Sequence, residues 1–210
     1  MKTLLRIDSS PLPGNASFSR RLTDEFVDHW LRTHRDGTVV SRDLTRTGMP
    51  PVGAAWVAAA HTPEESLTPA QRQTLALSDE LIRELKDADE YVFGVAMHNF
   101  SIPAVLKLWI DEIVRTGQTF AYENGGPKGL LRNKKATFLV ATGGVYSEGS
   151  PMAGMNFVEP YLRTIFRFIG VTDVEFVYVS GTGRLLYGID RETILEPALA
   201  SIQARFAVAA

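Results

Sequence analysis

Residues 92–113 read VFGVAMHNFSIPAVLKLWIDEI. The apolar run from Tyr91 to Ala96 has the length and continuity of a buried strand. It stops at Met97, His98, Asn99 and Phe100, and a helix is predicted from Pro103 to about Arg115. A thioether, an imidazole, an amide and an aromatic ring thus gather at the carboxyl end of an interior strand. Backbone groups there have left the sheet and need partners. A flat heterocycle edged with carbonyl and N–H groups could supply them. Asn99 can donate and accept through its amide, and Met97 and Phe100 can pack against ring faces and edges. The plainer reading is core filling by Met97 and Phe100 and an Asx turn at Asn99.

Working outward, TLLRID (3–8) reads as a first strand, followed by the Ser-, Pro- and Gly-rich loop SSPLPGNAS. A helix is expected from Phe18 to about His34, with Leu22, Phe26 and Trp30 on one face. TVVSRDL (38–44) is a second strand. Thr45–Leu67 shows no clear period and holds three prolines and two glycines. Thr68-Pro69 opens a helix running to about Asp87. After the third strand and its helix comes a long connection at 118–134. KATFLVAT (135–142) is a fourth strand ending in Gly143-Gly144, and VEFVYVS a fifth. Between them a helix is expected over about Met155–Phe168, with Pro160 forcing a kink or a late start. A last helix is expected over roughly Arg191–Val208. With no linker or repeat, residues 1–210 read as one domain.

Five strands alternating with helices predict an α/β fold with a parallel sheet and helices on both faces. Ligands of such sheets bind beyond the carboxyl ends of the strands, where the strand order reverses. In the order 2-1-3-4-5, the loops after the first, third and fourth strands line one crevice.

Composition narrows the function classes. The 210 residues are 45% hydrophobic and 22% charged, with a formal net charge of −2. That balance argues against a nucleic-acid-coating protein. No apolar run approaches the ~20 residues that span a bilayer. The first apolar run is broken at Arg6 and Asp8, so no secretory leader is expected. Cysteine is absent, which fits a reducing cytoplasm. His98 has no second ligand at metal-binding spacing, so no metal is expected.

Ser10, Ser17 and Ser19 around the start of the first helix suggest a phosphate site, because free amides there point at a bound anion. Ser17 as a simple N-cap is the competing reading. Neither a Walker loop nor a dinucleotide fingerprint is present. Gly143-Gly144 permits close approach of the backbone to a ligand, or is an ordinary tight turn.

Taken in order, SSPLPGNASFSRRL, TPAQRQTLALSDELIRELKDAD, MHNFSIPAVLKLWID, GQTFAYENGGPKGLL, TGGVYSEG and YLRTIFRFIGVTDVEFVY resemble the FMN-dependent NADH azoreductases, also called FMN-dependent NADH:quinone oxidoreductases. The resemblance covers almost the whole chain. It implies a flavodoxin-like three-layer sandwich, a homodimer, FMN in the crevice and NADH as electron donor. Quinones or azo compounds would be the acceptors, reduced by ping-pong hydride chemistry on the flavin with no catalytic side chain required. Residue by residue, it implies that Ser10, Ser17, Phe18 and Ser19 hold the FMN phosphate. Met97, His98, Asn99 and Phe100 would lie along the isoalloxazine, with Ala141, Thr142, Gly143 and Gly144 as a second ring-side loop. Phe120 and Tyr122 are candidates to stack over the substrate site, or else pack a hairpin. Many relatives carry Tyr in place of His98 and Ser-Arg in place of Ala141-Thr142. The second change removes a charge near the flavin. A flavodoxin-type FMN electron carrier with little NADH turnover is the alternative. A receiver domain is excluded, because the third strand ends in Ala96-Met97 rather than an acid.

Overall fold

The computed structural model describes residues 1–123 and 125–207. Asn124, inside the 118–134 connection, and Val208, the expected end of the last helix, lie outside the described residues. The chain runs β1 (Thr3–Asp8), α1 (Phe18–Thr33), β2 (Thr38–Asp43), α2 (Ala54–Ala60), α3 (Pro69–Asp87), β3 (Glu90–Ala96) and α4 (Ala104–Ile113). It continues through β4 (Phe120–Glu123), β5 (Gly126–Gly129), β6 (Lys135–Thr142), α5 (Val158–Ile169), β7 (Asp173–Ser180) and α6 (Arg191–Ala207). Five strands form a parallel sheet of order β2-β1-β3-β6-β7, and β4-β5 is a separate antiparallel hairpin. With the hairpin set aside, this is the expected 2-1-3-4-5 order.

Two cores flank the sheet. On one face Leu5, Ile7, Phe93, Val95, Phe138 and Val140 pack under α3, α4 and α5. On the other, Leu4, Val92, Leu139 and Val179 pack under α1 and α6. Strands covered on both faces need apolar residues at every position, hence the unbroken run in β3. Phe93 is the aromatic hub. It stacks on Phe138 at 4.7 Å and meets Phe166 and Trp109 edge-on at 5.2 and 5.5 Å. Such pairs add ~0.5–1.5 kcal/mol each beyond the area they bury.

Helix ends follow local chemistry. Thr68 and Gln71 form a reciprocal capping box at the start of α3, with Pro69 in its first position. Pro160 is the third residue of α5, where its missing N–H is no loss, so the helix starts late and is not kinked by it.

Two segments differ from the sequence reading. Within Thr45–Leu67 the AAWVAAA stretch forms α2. Alanine favours helix but leaves no apolar stripe to read. The 118–134 connection holds the β4-β5 hairpin. It is rooted at the amino-terminal edge of the sheet, because α4 carries the chain there from the carboxyl-terminal edge. Leu131 N–H donates to the Ile169 carbonyl there at 2.9 Å, just before β7 begins.

Candidate functional site

The strand register levels three loops. Asp8 pairs with Gly94, and Ala96 with Ala141. The loops after β1, β3 and β6 therefore emerge side by side at the carboxyl edge.

The β1–α1 loop buries Ser9, Ser10, Ser17 and Ser19. Ser17 is the N-cap of α1, its Oγ accepting from Arg20 N–H at 3.3 Å. Its Oγ also lies 3.3 Å from Ser19 Oγ. Ser10 Oγ accepts from Leu12 N–H at 3.3 Å. A hydroxyl that already accepts keeps its proton to donate. The amides of Phe18 and Ser19, at the head of α1, have no acceptor among the described residues. Together these groups make a donor-rich helix start of the kind that binds anions. The Phe18 ring lies under the Arg191 guanidinium, 4.0 Å from its centroid.

Behind this loop stands Asp8, 6% exposed. It accepts from Thr23 Oγ1 at 2.9 Å and Arg6 Nε at 2.7 Å. Burial nevertheless pushes its carboxyl above the ordinary range, outweighing the pull of Arg6, Thr23 and Arg20.

In the β3–α4 loop, His98 and Ser101 exchange backbone hydrogen bonds at 2.9 and 3.0 Å. Asn99 and Phe100 between them have φ of 47° and 70°. Both lie in the left-handed region, which is costly for a bulky residue such as Phe100. The amides of Asn99 and Phe100 and the side chains of His98 and Asn99 have no partners among the described residues. Phe100, 42% exposed, stands edge-on to Tyr146 at 6.2 Å. Met97 instead packs partly into the core, and its N–H donates to the Ala141 carbonyl at 2.8 Å.

In the β6–α5 loop, Ala141 packs on the α1 side of the sheet, and Thr142 Oγ1 donates to the Gly144 carbonyl at 2.8 Å. Their side chains are therefore committed inward. The Gly143 carbonyl accepts from Gly183 N–H at 3.1 Å, and the Gly144 carbonyl from Gly181 N–H at 3.0 Å. Carbonyl and N–H point oppositely across a trans peptide. With the carbonyls turned toward the chain after β7, the amides of Gly144 and Val145 turn away from it, and neither has an acceptor among the described residues.

The structure thus brings together Ser10, Ser17, Phe18, Ser19, Asn99, Phe100, Gly143 and Gly144, with His98 at the rim. It does not bring Phe120 to the crevice of its own chain. Phe120 is 8% exposed and packs on Phe168 at 4.6 Å, at the opposite edge. Tyr122 is 70% exposed. Trp56 is half-buried and donates to Glu112 Oε2 at 2.7 Å. Sequence reasoning missed Arg20 and the paired Gly181 and Gly183, whose roles arise from contacts across the fold.

Sheet order, level strand ends and an anion-ready first loop define a flavodoxin-like protein, and the family of that description matches residues 1–206. An FMN-dependent NADH:quinone oxidoreductase of Acidobacterium capsulatum is 57% identical, the match covering 97% of this chain and 98% of that protein. Another from Burkholderia lata is 49% identical, covering 99% of this chain and 100% of that protein. The crystal structure of an azoreductase from Bacillus anthracis superposes with a TM-score of 0.87 at 31% identity, covering 98% of this chain and 99% of that one. The chain belongs to the flavodoxin-like family and, within it, to the FMN-dependent NADH:quinone oxidoreductases.

Proposed function

We propose that the protein transfers two electrons from NADH through FMN to quinones and azo compounds. The observation that carries this reading is the set of amides without acceptors among the described residues at Phe18–Ser19, Asn99–Phe100 and Gly144–Val145, on three adjacent strand ends. They fit an anionic phosphate at one end and a carbonyl-edged ring at the other. When bound, FMN would supply two-electron redox chemistry between the nicotinamide and the acceptor.

The chain's own residues bind and orient. Ser10, Ser17 and Ser19 would donate to the phosphate, helped by the head of α1. The amides of Gly144 and Val145, with the Asn99 side chain, would hold the polar ring edge and favour negative charge there. Phe100, fixed by its turn, would lie along the ring. None of these roles transfers a side-chain proton. Nicotinamide and acceptor would use the same exposed face in turn.

The proposed active form is a homodimer in which residues 1–210 act as one FMN-binding unit. Phe100 and Phe157 are both exposed at the crevice mouth, and Phe157 N–H donates to the Phe100 carbonyl at 3.0 Å. A second copy would cover that apolar surface, and its hairpin offers the exposed ring of Tyr122. An NADH-driven enzyme needs the compartment that supplies NADH, so the proposed location is the cytoplasm.

The test is direct. The purified protein should be yellow, bleach under NADH without oxygen, and recolour on adding a quinone. A protein that holds FMN but does not bleach would be an electron carrier. One that holds no flavin would sink the reading. A fully active monomer in light scattering would remove the dimer.

A further inference from the structure

We infer that Arg20 is a positioning residue for the FMN phosphate, shaping the β1–α1 loop that would hold the phosphate without gripping it directly. The inference rests on assigning that loop to the phosphate.

Arg20 sits in the first turn of α1, and its guanidinium folds back over the loop. Nε and Nη2 donate to the Ser10 carbonyl at 3.2 and 2.7 Å. Nη2 also donates to Asp43 Oδ1 at 2.9 Å, at the end of β2. Nη1 lies 3.8 Å from Asp8 Oδ2, at the end of β1. The side chain is 12% exposed. One planar fork therefore ties the loop to two strand ends. Its Nε and Nη2 are committed to protein oxygens, which leaves no free two-pronged face for a phosphate.

Two effects follow. The first concerns the direction of dipoles. Ser10 precedes Pro11, so the peptide between them has a carbonyl and no N–H. Turned toward an anion, that carbonyl would repel it. Arg20 occupies it instead. The Arg20 backbone N–H likewise occupies Ser17 Oγ at 3.3 Å. A single residue thus takes up two acceptors, the Ser10 carbonyl and the Ser17 hydroxyl oxygen, on both sides of the loop.

The second effect is charge. Asp8 and Asp43 both stand behind the loop, where a phosphate dianion would feel them. Arg20 lies between the two carboxylates and offsets that repulsion. Asp43 shows the coupling: burial acts to raise its carboxyl, yet the bonds from Arg20 and Thr45 hold it below the ordinary range. Asp43 in turn accepts from the Thr45 amide and hydroxyl at 3.0 and 2.7 Å.

Titration of the apoprotein with FMN and with riboflavin separates the phosphate from the ring. Wild type should bind FMN far more tightly. Arg20→Gln should weaken FMN roughly tenfold to a hundredfold, the worth of a hydrogen bond to a charged group. Its riboflavin affinity should stay within about threefold, since the ring contacts lie on other loops. Arg20→Lys keeps the charge but not the fork, so it should recover part of the loss. An unchanged FMN-to-riboflavin affinity ratio in Arg20→Gln would overturn the inference. So would an equal loss of both ligands, which would mean that Arg20 only supports the fold. If Arg20→Gln does not fold, the same ratio in Arg20→Lys decides. Wild type that does not distinguish FMN from riboflavin would instead remove the phosphate-loop assignment itself.

Discussion

Gly129, at the end of the hairpin, lies backbone to backbone against Gly170. A Cβ on Gly129 would fall 2.1 Å from the Gly170 nitrogen. Gly170 caps α5 with φ of 104°, a conformation that only glycine adopts without strain. The two glycines let the hairpin dock on the turn between α5 and β7, and so fix where Tyr122 projects. Gly129→Ala cannot be absorbed by a flexible side chain, because the nearest atoms are backbone. It should destabilise the protein by about 2–3 kcal/mol, at the upper end of the usual cost of overpacking. Urea unfolding would measure this. A loss below about 0.5 kcal/mol would mean that the hairpin floats free of α5.

Glu112 gives a stability prediction with a definite sign. It is 1% exposed and accepts from Trp56 Nε1. Burial holds its carboxyl above the ordinary value of 4.5, against the opposing pull of Trp56 and Arg115. The folded chain therefore holds this proton more tightly than the unfolded chain. Its contribution to stability is complete below 4.5 and is lost as pH rises through the folded value. Glu112→Gln keeps an acceptor for Trp56 and has no proton to lose. Relative to wild type, its unfolding free energy should rise between pH 4 and pH 7. A difference that stays constant or falls over that range would contradict the assignment.

Phe100 stores strain where the ring of a ligand is expected. A left-handed conformation costs a non-glycine residue roughly 1–2 kcal/mol, and this one is 42% exposed, so burial recovers little of it. Phe100→Gly relieves the strain but makes the unfolded chain more flexible, which offsets ~0.5–1 kcal/mol. The thermal midpoint should therefore hold or rise slightly, while KM for a quinone increases. A large drop in midpoint with unchanged KM would show that Phe100 serves the fold instead.

These residues also show where the sequence is legible. The capped helix α3 is plain from Thr68-Pro69, because caps and prolines act within one turn. β3 and its neighbours are plain because a doubly covered strand must be apolar throughout. α2 is silent because alanine carries no periodic signal. Within one chain Phe120 does not reach the crevice, because α4 takes the chain away from it before Phe120 is reached. The donor set at Gly144 and Val145 depends on carbonyls held by Gly181 and Gly183, which lie beyond α5 and β7. Arg20 depends on Ser10 and Asp43, 10 and 23 residues away. Motif reading finds where a loop is, but which dipoles face the ligand is decided by such distant pairings.

Asn99 should contribute to flavin binding through its side chain, which has no partner among the described residues. Its left-handed φ of 47° is tolerated better by asparagine than by most residues. Asn99→Gly keeps the turn and removes the amide, so backbone strain does not confuse the result. FMN affinity should fall by about 0.5–1.5 kcal/mol, one net hydrogen bond, or the flavin potential should shift. Native affinity together with native potential would leave Asn99 with a turn-shaping role only.

His98 is the most tempting acid or base at the site, and it should prove dispensable as a proton donor. Its backbone carries the structural work, through paired hydrogen bonds to Ser101 at 2.9 and 3.0 Å. Its exposed ring has no hydrogen-bond partner among the described residues, so nothing holds it in a fixed geometry. General acid catalysis requires a group positioned within about 3.2 Å of the atom it protonates. Hydride delivery from a nicotinamide needs no side-chain proton, and an exposed quinone oxygen can take protons from water. His98→Tyr preserves a planar ring and the turn. It should keep the rate of flavin bleaching by NADH within about tenfold, ~1.4 kcal/mol of barrier. His98→Ala should loosen FMN more than it slows that step. Rapid mixing from pH 5.5 to 8.5, at saturating NADH and full FMN occupancy, separates the two effects. If His98→Tyr lost several orders of magnitude across that range, His98 would have to be written into the chemistry. Packing beside the ring would then no longer describe its role.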